Sequence, residues 1–73
     1  MIDVTETFPQ RLYEAMDKRE KSVRQVSEET GIAYNTIVSY RNGDRCNPTM
    51  GNIRLLCRCL DVSADWLIGL EGR

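Results

Sequence analysis

The chain has 73 residues, 41% of them hydrophobic and 29% charged, with ten lysines and arginines against eleven carboxylates and a formal charge of −1. That length suits one domain near the lower limit for a self-sufficient core, and the composition excludes general disorder. Apolar residues never run more than a few in a row, which excludes a transmembrane span. The opening MIDVTETFPQ lacks a basic region followed by an apolar run, so a cytoplasmic protein without a secretory leader is expected.

Thr7-Phe8-Pro9-Gln10 reads as the start of helix 1. Thr7 can cap, Pro9 suits a first turn where its missing N–H is not needed, and Gln10 stands three after Thr7 as in a capping box. Phe8, Leu12, Ala15 and Met16 then recur at the spacing of one helical face, predicting a helix to about Lys18 or Arg19 with residues 1–6 frayed. Arg19-Glu20-Lys21 reads as a solvated, charged connector. Ser22 is a good N-cap for helix 2, expected over about 22–30, and Val23 and Val26 follow it at helical spacing. Gly31 supplies the left-handed residue on which that helix can stop. Helix 3 is expected from Ala33 to Tyr40 or Arg41, with Ile32, Ile37 and Tyr40 turned inward and Tyr34, Asn35, Val38 and Ser39 outward. Asn42-Gly43 marks the turn that closes it. Two short helices joined by a glycine-containing turn form a helix-turn-helix unit, which needs further helices to bury its inner face.

The loop 42–48 is dense in turn formers, and Pro48-Thr49 begins helix 4. There Met50, Ile53, Leu56, Cys57 and Leu60 line one face while Asn52, Arg54 and Arg58 face out. Ser63 caps a last helix reaching Leu70. Its Trp66 most simply serves as a lid on the core, while Leu55, Ile68 and Leu70 fall off the main stripes and leave apolar surface for a partner. The sum is a compact all-α domain of five helices spanning 1–73, with an ordered core over about 7–70.

The chemistry-bearing residues are few. Cys57 and Cys59 stand two apart, so on a helix they point about 200° apart and can neither bridge nor chelate together. With no histidine a zinc site lacks ligands, and the thiols are expected to be reduced: Cys57 as packing, Cys46 as a loop thiol. The same inventory argues against an enzyme and against a cofactor. There is no imidazole base, no serine or cysteine with an evident activating partner, and no phosphate-loop spacing. A pI of about 5.3 argues mildly against nucleic acid, but distribution outweighs the sum. Arg41 and Arg45 flank the Asn42-Gly43 turn and Arg24 lies early in helix 2, whereas Asp61, Asp65 and Glu71 gather near the C-terminus.

The ordered set Arg11-Leu12, Val26-Ser27, Gly31-Ile32, Asn35-Thr36-Ile37, Tyr40 with Asn42-Gly43, Asn47-Pro48-Thr49-Met50, Ile53, Leu56-Cys57 and Leu60 to Leu67 resembles the Cro/cI-type helix-turn-helix domain. That type belongs to phage repressors and to the xenobiotic-response-element family of bacterial regulators. No single piece is diagnostic; the order and spacing of the set are. The resemblance covers Arg11 to Leu70 without insertion and implies a lambda-repressor-like five-helix fold that sets helix 3 into the major groove of double-stranded DNA, with helix 2 across the backbone. A major groove admits one α-helix and offers a donor and acceptor code at its base edges.

Carried over by position, the base-reading places fall on Ala33, Tyr34, Asn35, Val38 and Ser39, and the phosphate-contacting ones on Arg24, Arg41, Asn42 and Arg45. Asn35 can pair with adenine in a bidentate manner, and Ala33 or Val38 can touch a thymine methyl. The family often has glutamine where Val23 stands, leaving backbone N–H groups or Arg24 for that contact. It also often has glutamate where Arg41 stands, paired with the helix 1 arginine. Arg11 is therefore expected to find another carboxylate, such as Glu14 or Glu28, and Arg41 to serve the phosphates. One recognition helix covers few base pairs, so a homodimer is expected, through helix 5 and its Trp66, Ile68 and Leu70. A transcription regulator, in particular a repressor, is the first reading. The alternative is a protein-interaction module of the same fold, an antirepressor or adaptor, which the acidic pI and Val23 favour.

Overall fold

The computed structural model describes residues 4–45 and 47–70, with side chains from residue 7 onward. Five helices form in chain order: α1 (Val4–Lys18), α2 (Val23–Thr30), α3 (Tyr34–Asn42), α4 (Met50–Leu60) and α5 (Ala64–Leu67). Three of them start on a side-chain cap. The oxygens of Ser22, Thr49 and Ser63 accept from the N–H groups of Gln25, Asn52 and Trp66, each three residues on.

The helix ends share a device that satisfies their last carbonyls. At α1, α3, α4 and α5 one residue turns left-handed, and the N–H after it reaches five residues back. These bonds are Lys21 to Met16, Asp44 to Ser39, Val62 to Cys57 and Leu70 to Asp65, at 2.8–3.1 Å. Helix α2 ends with the simpler bond from the Gly31 N–H to the Ser27 carbonyl. Gly31 stands at φ 80° and Gly43 at φ 83°, in the region that glycine adopts without a Cβ clash.

Two expected boundaries move. Helix α1 begins at Val4, upstream of Thr7, and Pro9 lies inside it. Its fixed φ is helical, and the one bond it cannot donate would go to a carbonyl in the first turn, where a missing bond interrupts little. Residues 4–6, expected ahead of the helix, are thus part of it, and 1–3 lie outside the described residues. At the other end α5 stops at Leu67 because Gly69, at φ 86°, already belongs to its C-terminal turn.

Helix α1 packs on α3 and α5, α2 on α3 and α4, and α4 on α5. The enclosed core is Phe8, Leu12, Ala15 and Met16 of α1, Val23 and Val26 of α2, Ile32, Ile37 and Tyr40 around α3, and Leu56, Leu60 and Leu67. Phe8 meets Tyr40 edge to face at 5.4 Å, which ties α1 to α3. In α4 the expected face narrows to Leu56 and Leu60, since Met50 is 86% exposed at the first turn. Asn52, expected outside, turns inward and its amide Nδ2 donates to Tyr40 Oη at 2.9 Å. Trp66 is half-buried against the core, so it is the lid that its size suggested. No described helix is long and apolar enough to cross a membrane.

The connector 19–21 is not simply solvated. Arg19 donates through Nε to the Leu60 carbonyl at 3.0 Å and pairs with Asp61 at 3.2 Å. Lys21 Nζ reaches Glu29 Oε1 at 2.7 Å and the Cys59 carbonyl at 2.9 Å. These charges clamp the start of α2 to the end of α4. The Cys59 thiol donates to Glu29 at 3.3 Å, and burial pushes the Cys57 and Cys59 thiols up, as suits neutral packing groups. Cys46 lies outside the described residues.

Candidate nucleic-acid interface

Helix α3 is positioned from beneath. Ile37 is wholly buried and Tyr40 nearly so, at 0% and 4% exposure, and between them they fix the helix on α1 and α2. The Tyr40 hydroxyl, bonded to Asn52, adds a polar strut to α4. Before α3, the Thr30 hydroxyl donates to the Val26 carbonyl and accepts from the Ile32 N–H, while Ser27 Oγ donates to the Ile32 carbonyl at 2.6 Å. The angle between α2 and α3 is thereby held by hydrogen bonds as well as by packing.

The expected readers divide by depth. Ala33, Tyr34 and Asn35 are exposed, Tyr34 at 52%, and stand at the N-terminal end of α3. Val38 and Ser39, one turn on, are half-buried, and Val38 packs against the core. The Ala33 cap offers no side-chain acceptor, unlike Ser22, Thr49 and Ser63. An alanine there costs about 0.5–2 kcal/mol relative to serine or threonine. The Thr36 and Ile37 N–H groups bond the Ala33 carbonyl, at 3.0 and 3.2 Å, so the Tyr34 and Asn35 N–H groups are the ones left without a capping side chain at the positive end of the helix dipole.

The four expected phosphate contacts differ. Arg45 and Asn42 are exposed beside the Gly43 turn, and the Arg45 N–H is anchored on the Ser39 carbonyl at 3.2 Å. Arg24 is exposed, with Glu28 one turn away at 3.6 Å, an arrangement worth only a few tenths of a kcal/mol. Arg41 lies back on α1, its guanidinium carbon 4.9 Å from the Tyr13 ring centroid, and its Nε is buried without an acceptor among the described residues.

Two departures from the resembled pattern gain a physical account. Val23 is a core residue at 8% exposure, so no side-chain contact leaves α2 from that position. Arg11 meets no carboxylate among the described residues, Glu14 and Glu28 included. Its Nη1 donates to the Trp66 carbonyl at 2.8 Å while the guanidinium stacks 4.8 Å from the Trp66 ring centroid. Where an arginine and a glutamate would pair, two arginines each settle on an aromatic ring. Sequence reasoning missed Asn52, although a buried tyrosine hydroxyl requires a partner and so pointed to a polar residue on a neighbouring helix.

No curated protein matches the chain. A family model described as a helix-turn-helix domain matches residues 10–73, which takes in the greater part of α1 and everything after it. With five helices, a glycine turn between α2 and α3 and no strand among the described residues, the architecture agrees with that match. The chain belongs to the helix-turn-helix domain family, in a form consistent with the Cro/xenobiotic-response-element type.

Proposed function

We propose that the protein is a sequence-specific transcription regulator, acting as a repressor in the cytoplasm, that lays α3 in the major groove of operator DNA. The exposure of Tyr34 and Asn35 on the first turn of a helix whose other face is locked by Ile37 and Tyr40 carries this reading. In helix-turn-helix proteins the N-terminal residues of the second helix contact base edges. Asn35 takes the adenine-reading role, Tyr34 and Ala33 border it, and Val38 and Ser39 contribute where the groove reaches them. Asn42 and Arg45 hold phosphates after α3, and Arg24 does so after releasing Glu28. Arg41 contributes charge from its seat on Tyr13. Two copies read two half-sites, joined through Ile68 and Leu70 near α5, with Trp66 kept for the core.

Selection from a random duplex pool tests the reading. Recovery of a two-fold symmetric site, bound with an affinity that falls steeply as salt rises, is the expected result, because each neutralised phosphate releases counterions. The adaptor reading draws on the engagement of Val23, Arg24 and Arg41 within the protein. It predicts no enrichment and no salt-dependent binding.

A further inference from the structure

A largely apolar surface lies outside the α3 face. Between α4 and α5 runs an open groove of about 690 Å³, floored by Met50, Ile53, Cys57 and Ile68. None of the residues assigned above to bases or phosphates lines it. Met50, Ile53 and Cys57 follow one another at i, i+3 and i+7, a stripe about 11 Å long at the helical rise. Met50 is 86% exposed, so this stripe ends in a large apolar side chain standing in water.

The rim has a sign. Arg54 and Arg58 run alongside the stripe, one turn apart, and both are exposed. Neither makes an ion pair or hydrogen bond within the described residues, although the chain carries eleven carboxylates and uses Glu28, Glu29 and Asp61 to pair Arg24, Lys21 and Arg19. Like charges at i, i+4 repel, and no carboxylate among the described residues lines the groove.

We infer that this groove receives a short acidic amphipathic helix of a different protein, seated by apolar side chains at i, i+3 and i+7 and flanked by glutamates or aspartates that meet Arg54 and Arg58. A stripe of two turns suits a partner helix of two to three turns, the helix-in-groove mode of recognition. A second copy is disfavoured by charge. A two-fold contact brings the same patch of both copies together, so two patches that each carry Arg54 and Arg58 and no described carboxylate would face each other. The inference does not rest on DNA binding. It does imply competition with the proposed pairing through α5, since Ile68 belongs to both surfaces, and so gives the regulator a route to control.

The test uses the full chain and a side-chain-stapled peptide of fourteen residues, with leucines at i, i+3 and i+7 and flanking glutamates; the control peptide carries lysines instead. Calorimetry should show the glutamate peptide binding at least about tenfold tighter, as charge complementarity across a rim selects partners. Amide shifts in NMR spectra should concentrate at Ile53, Cys57 and Ile68. The surface double variant Arg54→Glu/Arg58→Glu, with its fold checked by circular dichroism, should reverse the preference. Equal binding of both peptides, no binding, or shifts elsewhere would overturn the inference. So would a dimer of the chain alone that Met50→Glu dissolves, which assigns the groove to a second copy, or loss of DNA affinity in the arginine variant with no change in peptide binding, which assigns the arginines to phosphates.

Discussion

Removing the Arg11 guanidinium should loosen α5 from α1, and the structure sets the size of the effect. Arg11 Nη1 donates to the Trp66 carbonyl at 2.8 Å and its plane lies 4.8 Å from the Trp66 ring centroid. A hydrogen bond from a charged group contributes about 1.5–3 kcal/mol, and a half-exposed cation–π contact about 0.5–1 kcal/mol. Two features pull the sum down. Arg11 is only half-buried, and the Trp66 carbonyl also accepts from the Gly69 N–H at 3.1 Å, so it is not orphaned by the substitution. Arg11→Met keeps the apolar stem over the ring and should therefore cost about 2 kcal/mol. In a domain of this size that lowers the melting temperature by roughly 8–16 °C. Arg11→Lys keeps a charge but loses the planar fork that donates and stacks at once, and should fall between the two. Urea and thermal denaturation followed by circular dichroism measure all three proteins. A methionine variant within about 0.5 kcal/mol of the parent, the range of an ordinary surface change, would refute the clasp.

Leu56→Ala empties a wholly buried site on α4, which packs on α2 and α5, and should cost about 2–5 kcal/mol, enough to unfold so small a domain at moderate temperature; a melting curve scarcely moved would misplace α4. Ala33→Ser supplies the acceptor that α3 lacks, at a backbone of φ −57° and ψ 139°, and should raise stability by about 1 kcal/mol in denaturation experiments. For Glu29, the Lys21 ammonium and then the Cys59 thiol hold the carboxyl below the usual carboxylate range. A depressed folded-state value contributes stability above the ordinary carboxylate range and loses it as pH falls through and below that range. The Glu29→Gln variant should accordingly show a weaker acid limb in stability against pH. For Lys21 the sign reverses: Glu29 raises its pKa, so its contribution is present below the ordinary lysine range and is lost in strong alkali.

Local chemistry made most of the fold legible. Ser22, Thr49 and Ser63 cap the helices they announced, and Gly31 and Gly43 end the two they were expected to end. The inward set Val26, Ile37, Leu56 and Leu60 follows from periodicity, because one helical face must be buried and no other spacing puts these residues on it. What stayed illegible depends on partners far along the chain. Arg19 bonded to Leu60, Lys21 to Cys59, and Asn52 to Tyr40 are contacts across 41, 38 and 12 positions, and a charged or amide side chain carries no sign of which distant carbonyl it will meet. The N-terminus of α1 was hidden for a different reason. The capping signal at Thr7 was genuine in type, but helical chain upstream of it overrode the cap.

At the candidate interface the exposure of Asn35 was legible, since it stands two residues from the inward Ile37 and so about 200° around the helix from it, whereas Tyr34, three residues from Ile37, is exposed as the first residue of the helix. The restraint of Arg41 by Tyr13 was not. It depends on how closely α3 approaches α1, which is set by the edge-to-face packing of Phe8 on Tyr40 rather than by any local pattern.

The most direct measurement compares Asn35→Ala and Arg45→Ala with the parent chain on a selected duplex, on all single-base variants of it, and on random DNA at fixed salt. Asn35→Ala should lose about 1–3 kcal/mol on the selected site and relax preference at one base position per half-site, whereas Arg45→Ala should weaken binding to every sequence alike and lower the salt slope by about one. Equal losses on selected and random DNA for Asn35→Ala would contradict a recognition helix that reads bases through its first turn.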